Sequence, residues 1–411
     1  MSLRCRACDA PLEISFCDLG MAPPSNAFVR AEDLQSSEVF LPLHAYVCAE
    51  CLLVQLPEYA APESIFKGDY AYFSSYSETW LRHAEAYARL ATQRFGLDSD
   101  SLVIEVASND GYLLRFFAAL GIPTLGIEPS ANVAQAARAL GLETMIEFFG
   151  SALAQRLAAS GRKADLLVGN NVLAHVPDLN DFVAGLRGAL APAGVVSLEF
   201  PHLLRLIEGN QFDTLYHEHY SYFSLLALDR VFRTHGLTVF DVEELPTHGG
   251  SLRVLARHAD NGRLPVLASV ARVTEAERSF GLGRLETYER FAESSRETKR
   301  TLLELLIGLK REGRRIAGYG AAAKGNTLLN YCGIRQDFLD YVVDRNPHKQ
   351  GTFLPGTRIP VLPPDEVTRT RPDYLLILPW NLRDEIVDQM RGIREWGGRF
   401  IVPVPRAVVL E

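Results

Sequence analysis

A chain of 411 residues, 22% charged and 47% hydrophobic, has a soluble globular composition and is too long for one ordinary core, so two or three domains are expected. Its formal net charge of −8 argues against a nucleic-acid-binding surface. No apolar run approaches the ~18 residues a membrane span needs, and cysteines appear at once with no signal-like segment before them, so a cytoplasmic location is expected.

The six cysteines are Cys5, Cys8, Cys17, Cys48, Cys51 and Cys332. Four fall in two Cys-x-x-Cys pairs, a spacing at which each knuckle presents two sulfurs to one metal. Disulfides do not suit a reducing compartment, and a redox motif needs only one pair. Cys5, Cys8, Cys48 and Cys51 therefore read as a structural zinc site, since four sulfurs leave no position for a reactive water. Residues 1–62, loop-rich with a short strand expected over 41–48, would depend on that metal. Cys17 and Cys332 read as small, buried and inert. Next comes an aromatic run in which Tyr70, Tyr72 and Tyr76 either pack a domain seam or line a cleft with hydroxyls.

Residues 80–95 read as an amphipathic helix leading into an alternating α/β domain. Its first unit is Val103-Ile104-Glu105-Val106-Ala107-Ser108-Asn109-Asp110-Gly111, a buried strand and tight loop, with a helix expected from Tyr112. The following strand, Pro123 to Ile127, ends in Glu128, placed to accept hydrogen bonds from both hydroxyls of a ribose. Ala107 and Asn109 stand where a dinucleotide fold wants glycine. An acid at the loop's start (Glu105) and a lone Gly111 suit a zwitterionic amino-acid tail better than a pyrophosphate, which points to S-adenosylmethionine rather than NAD. Asn170 and Asn171 follow another strand directly, at the carboxyl edge where such sheets bind ligands; His175 lies just beyond.

Further on stand Tyr216-His217-Glu218-His219-Tyr220 and His248-Gly249-Gly250-Ser251, the latter with paired glycines that permit close backbone approach. In an extended segment His217 and His219 share a face while Glu218 points away; spacing alone does not choose between the two histidines. Residues 275–310 read as one long charged helix. The last hundred residues restart an α/β pattern: Gly318-x-Gly320-x-x-Ala323, a helix expected from Ala321, and Asp344 at the tip of the next strand approximate a dinucleotide fingerprint. Lys324 and Asn326 sit in that helix's first turn, where a nucleotide diphosphate would be held.

These stretches together resemble the sugar C-methyltransferases of deoxysugar biosynthesis. The resemblance rests on Cys5-x-x-Cys8, Pro24-Ser25-Asn26-Ala27-Phe28, Cys48-x-x-Cys51-Leu52-Leu53-Val54-Gln55-Leu56, the 105–111 loop, the run from Tyr216 to Phe223, His248-Gly249-Gly250-Ser251-Leu252-Arg253 and Gly320-Ala321-Ala322-Ala323-Lys324-Gly325-Asn326. It covers essentially the whole chain. It implies an α/β protein with a small zinc-binding N-terminal domain (1–62), a central Rossmann-like S-adenosylmethionine methyltransferase domain (63–262) and a C-terminal Rossmann-like domain for a nucleotide sugar (263–411).

The implied reaction is methyl transfer to a ring carbon, C-3′, alpha to the 4′-keto group of a dTDP- or GDP-linked deoxysugar. Such a carbon is nucleophilic only after losing a proton, so the site needs a base near the operating pH and donors for the enolate oxygen. Histidine, with an unperturbed pKa of ~6.5, suits the first role, and tyrosine hydroxyls suit the second. The resemblance assigns His219 as base, Tyr216 and Glu218 as its companions, and His175 and Tyr70 to the same cleft. Tyr72, Tyr76, His248, Gly249, Gly320, Lys324, Asn326 and Asp344 are then expected to meet the sugar nucleotide. Glu105, Ala107, Asn109, Gly111, Glu128, Asn170 and Asn171 are expected to meet the cofactor. The competing readings are a nicotinamide-dependent sugar oxidoreductase, a non-catalytic zinc-bearing scaffold, and an O- or N-methyltransferase.

Overall fold

One cysteine knuckle precedes the first strand and the other joins the second and third strands of an antiparallel sheet in the computed structural model, which describes residues 3–59 and 72–410. Tyr70 lies outside the described residues. Strands β1 (Ile14–Ala22), β2 (Leu41–Val47) and β3 (Val54–Gln55) pair antiparallel in that order. Along β2, Leu43, Ala45 and Val47 point into the core at every second residue, the period of a half-buried strand. Asp9 and Leu52, each directly after a knuckle, take left-handed φ values of 61° and 63°, and their N–H groups bond back to the Cys5 and Cys48 carbonyls. This turn points both thiols of a pair the same way.

The middle of the chain builds a seven-stranded sheet. Its strands are β4 (Val103–Val106), β5 (Thr124–Ile127), β6 (Thr144–Met145), β7 (Ala164–Asn170), β8 (Leu190–Pro201), β10 (Leu237–Leu245) and β11 (Ser251–His258); β9 (Ser221–Tyr222) belongs elsewhere. The order is β10-β11-β8-β7-β4-β5-β6, parallel from β8 to β6, with β11 antiparallel to both its neighbours. All four residues of β4 are buried, as expected for a central parallel strand covered by helices on both faces. From β4 the chain goes outward to β5 and β6, then returns to β7 on the other side. The crevice at this reversal, outside the carboxyl ends of β4 and β7, is where an open α/β sheet holds its ligand.

The helix after β4 starts at Leu114, two residues later than expected. The loop before it passes through left-handed backbone at Ala107, Asn109 and Gly111, with φ of 57°, 49° and 77°, and these residues cannot begin a right-handed helix.

Strand β9 completes the N-terminal sheet by pairing with β3, Gln55 opposite Ser221 and Val54 opposite Tyr222. The zinc-knuckle sheet thus borrows a strand from the central part of the chain.

The C-terminal sheet has strands β12 (Ile316–Tyr319), β13 (Val342–Val343), β14 (Val361–Leu362), β15 (Tyr374–Ile377), β16 (Arg399–Val402) and β17 (Val408–Leu410), ordered β14-β13-β12-β15-β16-β17. Only β17 runs antiparallel. The helix after β12 is Ala323–Cys332, again two residues short of expectation at its start. The long helix expected over 275–310 is three: Ala268–Phe280, Leu285–Glu289 and Phe291–Arg311. The first ends at Gly281, whose φ of 108° reverses the backbone. The third buries one face, where Phe291 stacks on Phe16 of β1 at 4.6 Å, and leaves Glu293, Arg296 and Arg300 exposed on the other. Among the described residues no helix is long and apolar enough to cross a membrane.

Candidate active site

The cysteines expected to bind metal converge. Cys5 Sγ lies 3.5 Å from Cys51 Sγ, Cys8 Sγ lies 3.5 Å from Cys48 Sγ, and all four sulfurs fall within 4.8 Å of one another. A tetrahedron with Zn–S bonds of ~2.3 Å has S···S edges of ~3.8 Å, so the set fits zinc. Gln55 Nε2 donates to Cys5 Sγ at 3.1 Å, an outer hydrogen bond of the kind that orients a metal ligand. The Gln55 side chain also accepts from the Arg6 N–H at 2.9 Å. The Arg6 guanidinium reaches the Pro177 carbonyl at 2.8 Å and the Leu56 carbonyl.

At the sheet's reversal point, Glu105 is fully buried in β4 and neither carboxylate oxygen has a hydrogen-bond partner. Burial raises its pKa well above the usual carboxylate range. Asn170, at the end of β7, donates to the Tyr112 hydroxyl at 3.2 Å and leaves its own oxygen unpartnered. Glu105 and the Asn170 oxygen, buried acceptors that both neighbour the Tyr112 hydroxyl at the switch point, fit the ammonium end of an amino-acid tail.

Glu128 follows β5 directly, and its two oxygens accept the Asn109 and Ser130 N–H groups at 3.0 and 2.8 Å. A carboxylate has about four lone-pair sites, so Glu128 clamps the loop and retains capacity for hydroxyls. Three of the residues expected to meet the cofactor have neighbours within the chain that the sequence did not show. The Asn109 side chain turns away from the loop, accepting from Ser74 N–H at 2.9 Å and donating to the Tyr72 carbonyl at 3.1 Å. It pins segment 72–74 across the crevice. Gly111 has a left-handed φ of 77°, and a Cβ there would lie 2.3 Å from the end of the Leu142 side chain, so backbone conformation and packing both favour glycine. Asn171 spends its amide on His248, with Nδ2 2.9 Å from Nε2. Ala107, Asn109, Asn171 and His248 are all non-glycine residues at positive φ, and such strain gathers at ligand sites.

Residues 216–219 are a turn rather than an extended run, closed by the His219 N–H to the Tyr216 carbonyl at 2.8 Å. The alternation argument for His217 and His219 therefore does not apply. The turn stacks the Tyr216 and His219 rings with centroids 3.9 Å apart and puts the Tyr216 hydroxyl 2.7 Å from His219 Nε2. His219 Nδ1 is 3.1 Å from the Thr214 carbonyl. A carbonyl only accepts, so Nδ1 carries the proton and Nε2 keeps its lone pair. His175 meets the same ring edge-on at 4.7 Å. Burial, helped by His175 and Lys324, holds the His219 pKa well below 6.5, and burial lowers His175 to about 4. Both are neutral near pH 7. His217 instead points its Nε2 at the Pro42 carbonyl of β2, 3.2 Å away. Glu218 accepts from Asn26 Nδ2 at 2.6 Å, and burial raises its pKa to about 7 against the pull of Asn26 and Lys349.

Tyr76 stacks with Phe73 and His348, its hydroxyl 3.4 Å from His348 Nε2, which joins the aromatic segment to the C-terminal domain; Tyr72 is about half exposed. His248 packs edge-on against Trp80 at 5.2 Å, and burial lowers its pKa to about 4.

Several residues expected to meet a sugar nucleotide serve the chain itself. Asp344 accepts the Ala321 and Asn346 N–H groups at 2.7 and 2.8 Å, so it secures its own turn. Asn326 donates to the Ser25 carbonyl at 2.6 Å and anchors the Pro24–Asn26 segment. Gly320 donates to the Val343 carbonyl at 2.7 Å, and a Cβ on it would lie 2.4 Å from the Pro379 ring. The Gly249 carbonyl takes the Gln211 amide at 2.8 Å. Lys324 differs: its Nζ is sealed from solvent without a hydrogen-bond partner, 4.7 Å above the Trp380 ring.

Sequence reasoning missed Asp213, Trp380, Lys349 and Glu199 and left Asn26 without a role. Trp380 Nε1 donates to Asp213 at 2.7 Å, and burial raises Asp213 to about 6 against Lys324. Lys349 donates to the Ala321 carbonyl at 2.9 Å. Glu199, buried at the end of β8, is held by Arg253 at 2.7 Å, His83 at 2.8 Å and Thr247 at 2.9 Å. No local spacing marks Asp213, Trp380, Lys349 or Glu199; only the motif around Asn26 could have drawn attention to it.

Three family profiles match the chain: a zinc-binding domain over residues 5–66, a methyltransferase domain over 80–242 and a C-methyltransferase C-terminal domain over 246–405. The chain is 36% identical over 407 residues to the C-methyltransferase NovU of Streptomyces niveus, spanning 99% of this chain and 96% of NovU. Among solved structures, magnesium protoporphyrin IX methyltransferase (ChlM) of Synechocystis PCC 6803, with bound SAM, is 16% identical at a TM-score of 0.32, covering 43% of this chain and 76% of that one. The CcbJ methyltransferase of Streptomyces caelestis is 14% identical at a TM-score of 0.34, covering 43% and 89%.

Proposed function

Since the chain belongs to the family of C-methyltransferases that includes NovU, we propose that it methylates C-3′ of a dTDP- or GDP-linked 4′-keto deoxysugar with S-adenosylmethionine as donor. In this reading residues 1–62 brace the site, residues 63–262 hold the donor, and residues 263–411 take the nucleotide of the acceptor.

The observation that carries the reading is the Tyr216–His219 pair. His219 Nδ1 is committed to the Thr214 carbonyl at 3.1 Å, and its Nε2 is a lone pair held against a hydroxyl in a buried cleft. A neutral imidazole with a directed lone pair is a general base. Substrate entering the cleft displaces the Tyr216 hydroxyl from Nε2, and the imidazole then takes the proton from the carbon next to the ketone. The Thr214 carbonyl fixes the tautomer throughout. Bound S-adenosylmethionine supplies an electrophilic methyl group. Glu105 and Asn170 would hold its ammonium and Glu128 its ribose hydroxyls; such a transfer requires the reacting atoms to be aligned within ~3–3.5 Å. The buried Cys5, Cys48 and Cys51, with Cys8, hold zinc, which stabilises the knuckle sheet and takes no part in the chemistry.

Incubation with a 4-keto sugar nucleotide in deuterated water tests the reading. The hydrogen alpha to the ketone exchanges, and with donor present the product carries one new carbon-bound methyl and no hydrogen at that carbon. A product methylated on oxygen or nitrogen overturns it.

A further inference from the structure

Lys324 sits where a lysine is costly. Its Nζ is buried and makes no hydrogen bond. It stands in the first turn of helix Ala323–Cys332, the end at which a helix dipole disfavours cations. Its helix and its ring partner both abut the loop that holds His219: Thr327 Oγ1 donates to the Leu215 carbonyl at 2.9 Å, and Trp380 bonds Asp213, next to the Thr214 carbonyl that takes His219 Nδ1. The Lys324 charge adds to the lowering of the His219 and His248 pKa values. Partial compensation comes from the Trp380 face at 4.7 Å and from the field of Asp213. Asp213 closes no hydrogen bond with the ammonium: its Oδ2 takes Trp380 Nε1 at 2.7 Å, and its Oδ1 is buried without a partner. A buried cation with unused donors is an expensive arrangement to maintain for packing alone.

The adjoining turn is a poor cradle for a diphosphate. Two of its N–H groups are already spent, Gly320 on the Val343 carbonyl and Ala321 on Asp344, both at 2.7 Å. The ammonium therefore has little help from the backbone donors of that turn.

We propose that Lys324 is a catalytic residue that holds the keto oxygen of the substrate and stabilises the negative charge that forms there as His219 removes the neighbouring proton. This rests on the carbon-acid reading above. The C–H bond breaks, its proton goes to His219 Nε2, and its electron pair forms the carbon–carbon double bond. The carbonyl π pair moves onto oxygen, where an N–H of Lys324 meets it. The cation's full effect falls on a charge absent from the ground state, so it acts on kcat rather than on binding. Asp213, anchored through Trp380, keeps Lys324 protonated and aimed.

The test uses full-length protein with dTDP- and GDP-linked 4-keto-6-deoxyhexoses as probes. Solvent deuterium exchange, kcat and KM are compared in wild type, Lys324→Met and Lys324→Arg. Lys324→Met should slow both exchange and methyl transfer by ~10²–10³-fold, the loss typical of one oxyanion donor. KM for the sugar nucleotide and calorimetric affinity for S-adenosylmethionine should hold, and Lys324→Arg, which keeps the charge, should recover part of the rate. Lys324→Gln replaces the Met variant where thermal melting shows that the cleft has collapsed. A raised KM with exchange and kcat intact makes Lys324 a phosphate ligand and overturns the inference. Equal exchange in wild type and variant overturns it too, leaving the carbon-acid reading standing. No exchange in wild type removes that reading as well.

Discussion

The Gln55 amide donates to the Cys5 sulfur at 3.1 Å, while its backbone, in β3, pairs with Ser221, two residues past His219. Arg6, next to Cys5, bonds the Pro177 carbonyl at 2.8 Å, two residues past His175. The metal knuckle is thereby joined to both loops that carry the paired imidazoles.

Purified protein should contain about one equivalent of zinc, as a single four-sulfur site requires. Cys48→Ser or exhaustive chelation should lower the melting temperature and, through β3 and β9, reduce methyl transfer. Metal-free protein with an unchanged melting curve would show that the sulfurs converge without holding an ion.

The two histidines of the 216–219 turn should separate cleanly. His219→Asn should lower kcat by ~10²–10⁴-fold, the usual worth of a general base, with donor and acceptor still bound. His217→Asn should act mainly on stability, because His217 Nε2 faces the Pro42 carbonyl 3.2 Å away. Equal losses of kcat at the two positions would reassign the base.

Glu128→Ala should weaken S-adenosylmethionine binding by ~1.5–3 kcal/mol, the range for losing a charged hydrogen-bond acceptor. The same variant frees the Asn109 and Ser130 N–H groups, so melting of the cofactor-free protein should fall too. Calorimetry showing full affinity would place the ribose elsewhere.

Glu218 predicts a pH dependence of stability. Its folded pKa is raised to about 7 from 4.5, so the fold favours the protonated form. That contribution is fully present below pH 4.5 and is lost as pH rises through about 7. Glu218→Gln stays neutral and keeps an oxygen for Asn26. Relative to wild type it should gain stability across this window, by on the order of 3 kcal/mol at most, as read by denaturant titration at a series of pH values. A difference that does not change with pH would mean Glu218 is ionised throughout.

The parts legible in the sequence are those encoded within a few residues. Two Cys-x-x-Cys pairs announce a four-sulfur site because a knuckle turn is a local structure. Apolar runs such as 103–106 announce buried strands, and an acid after the second strand announces the crevice edge. The 216–223 run stood out for its histidines and tyrosines, and the family resemblance alone singled out His219 within it, but its conformation was misread. Strand alternation was assumed where a tight turn stacks Tyr216 on His219. Both helix starts were set too early for a related reason: the preceding loops spend residues in backbone conformations that side-chain pattern does not reveal.

What the tertiary structure alone decided is which polar group answers which. Asn109, Asp344 and Asn326 look alike in sequence as ligand contacts, yet each satisfies the chain's own backbone. The Asn326 amide meets the Ser25 carbonyl across 301 residues, and His217 meets Pro42 across 175. Lys324, with the same kind of sequence signal, meets no acceptor at all. Periodicity and spacing report the conformation of neighbouring residues. A buried donor or acceptor is satisfied by whatever distant strand or loop the fold brings against it, and so the sequence by itself determined the architecture and the four-cysteine set, while only the packing of the three sheets decided that the Tyr216 hydroxyl caps His219 Nε2 and that the Lys324 ammonium closes no hydrogen bond.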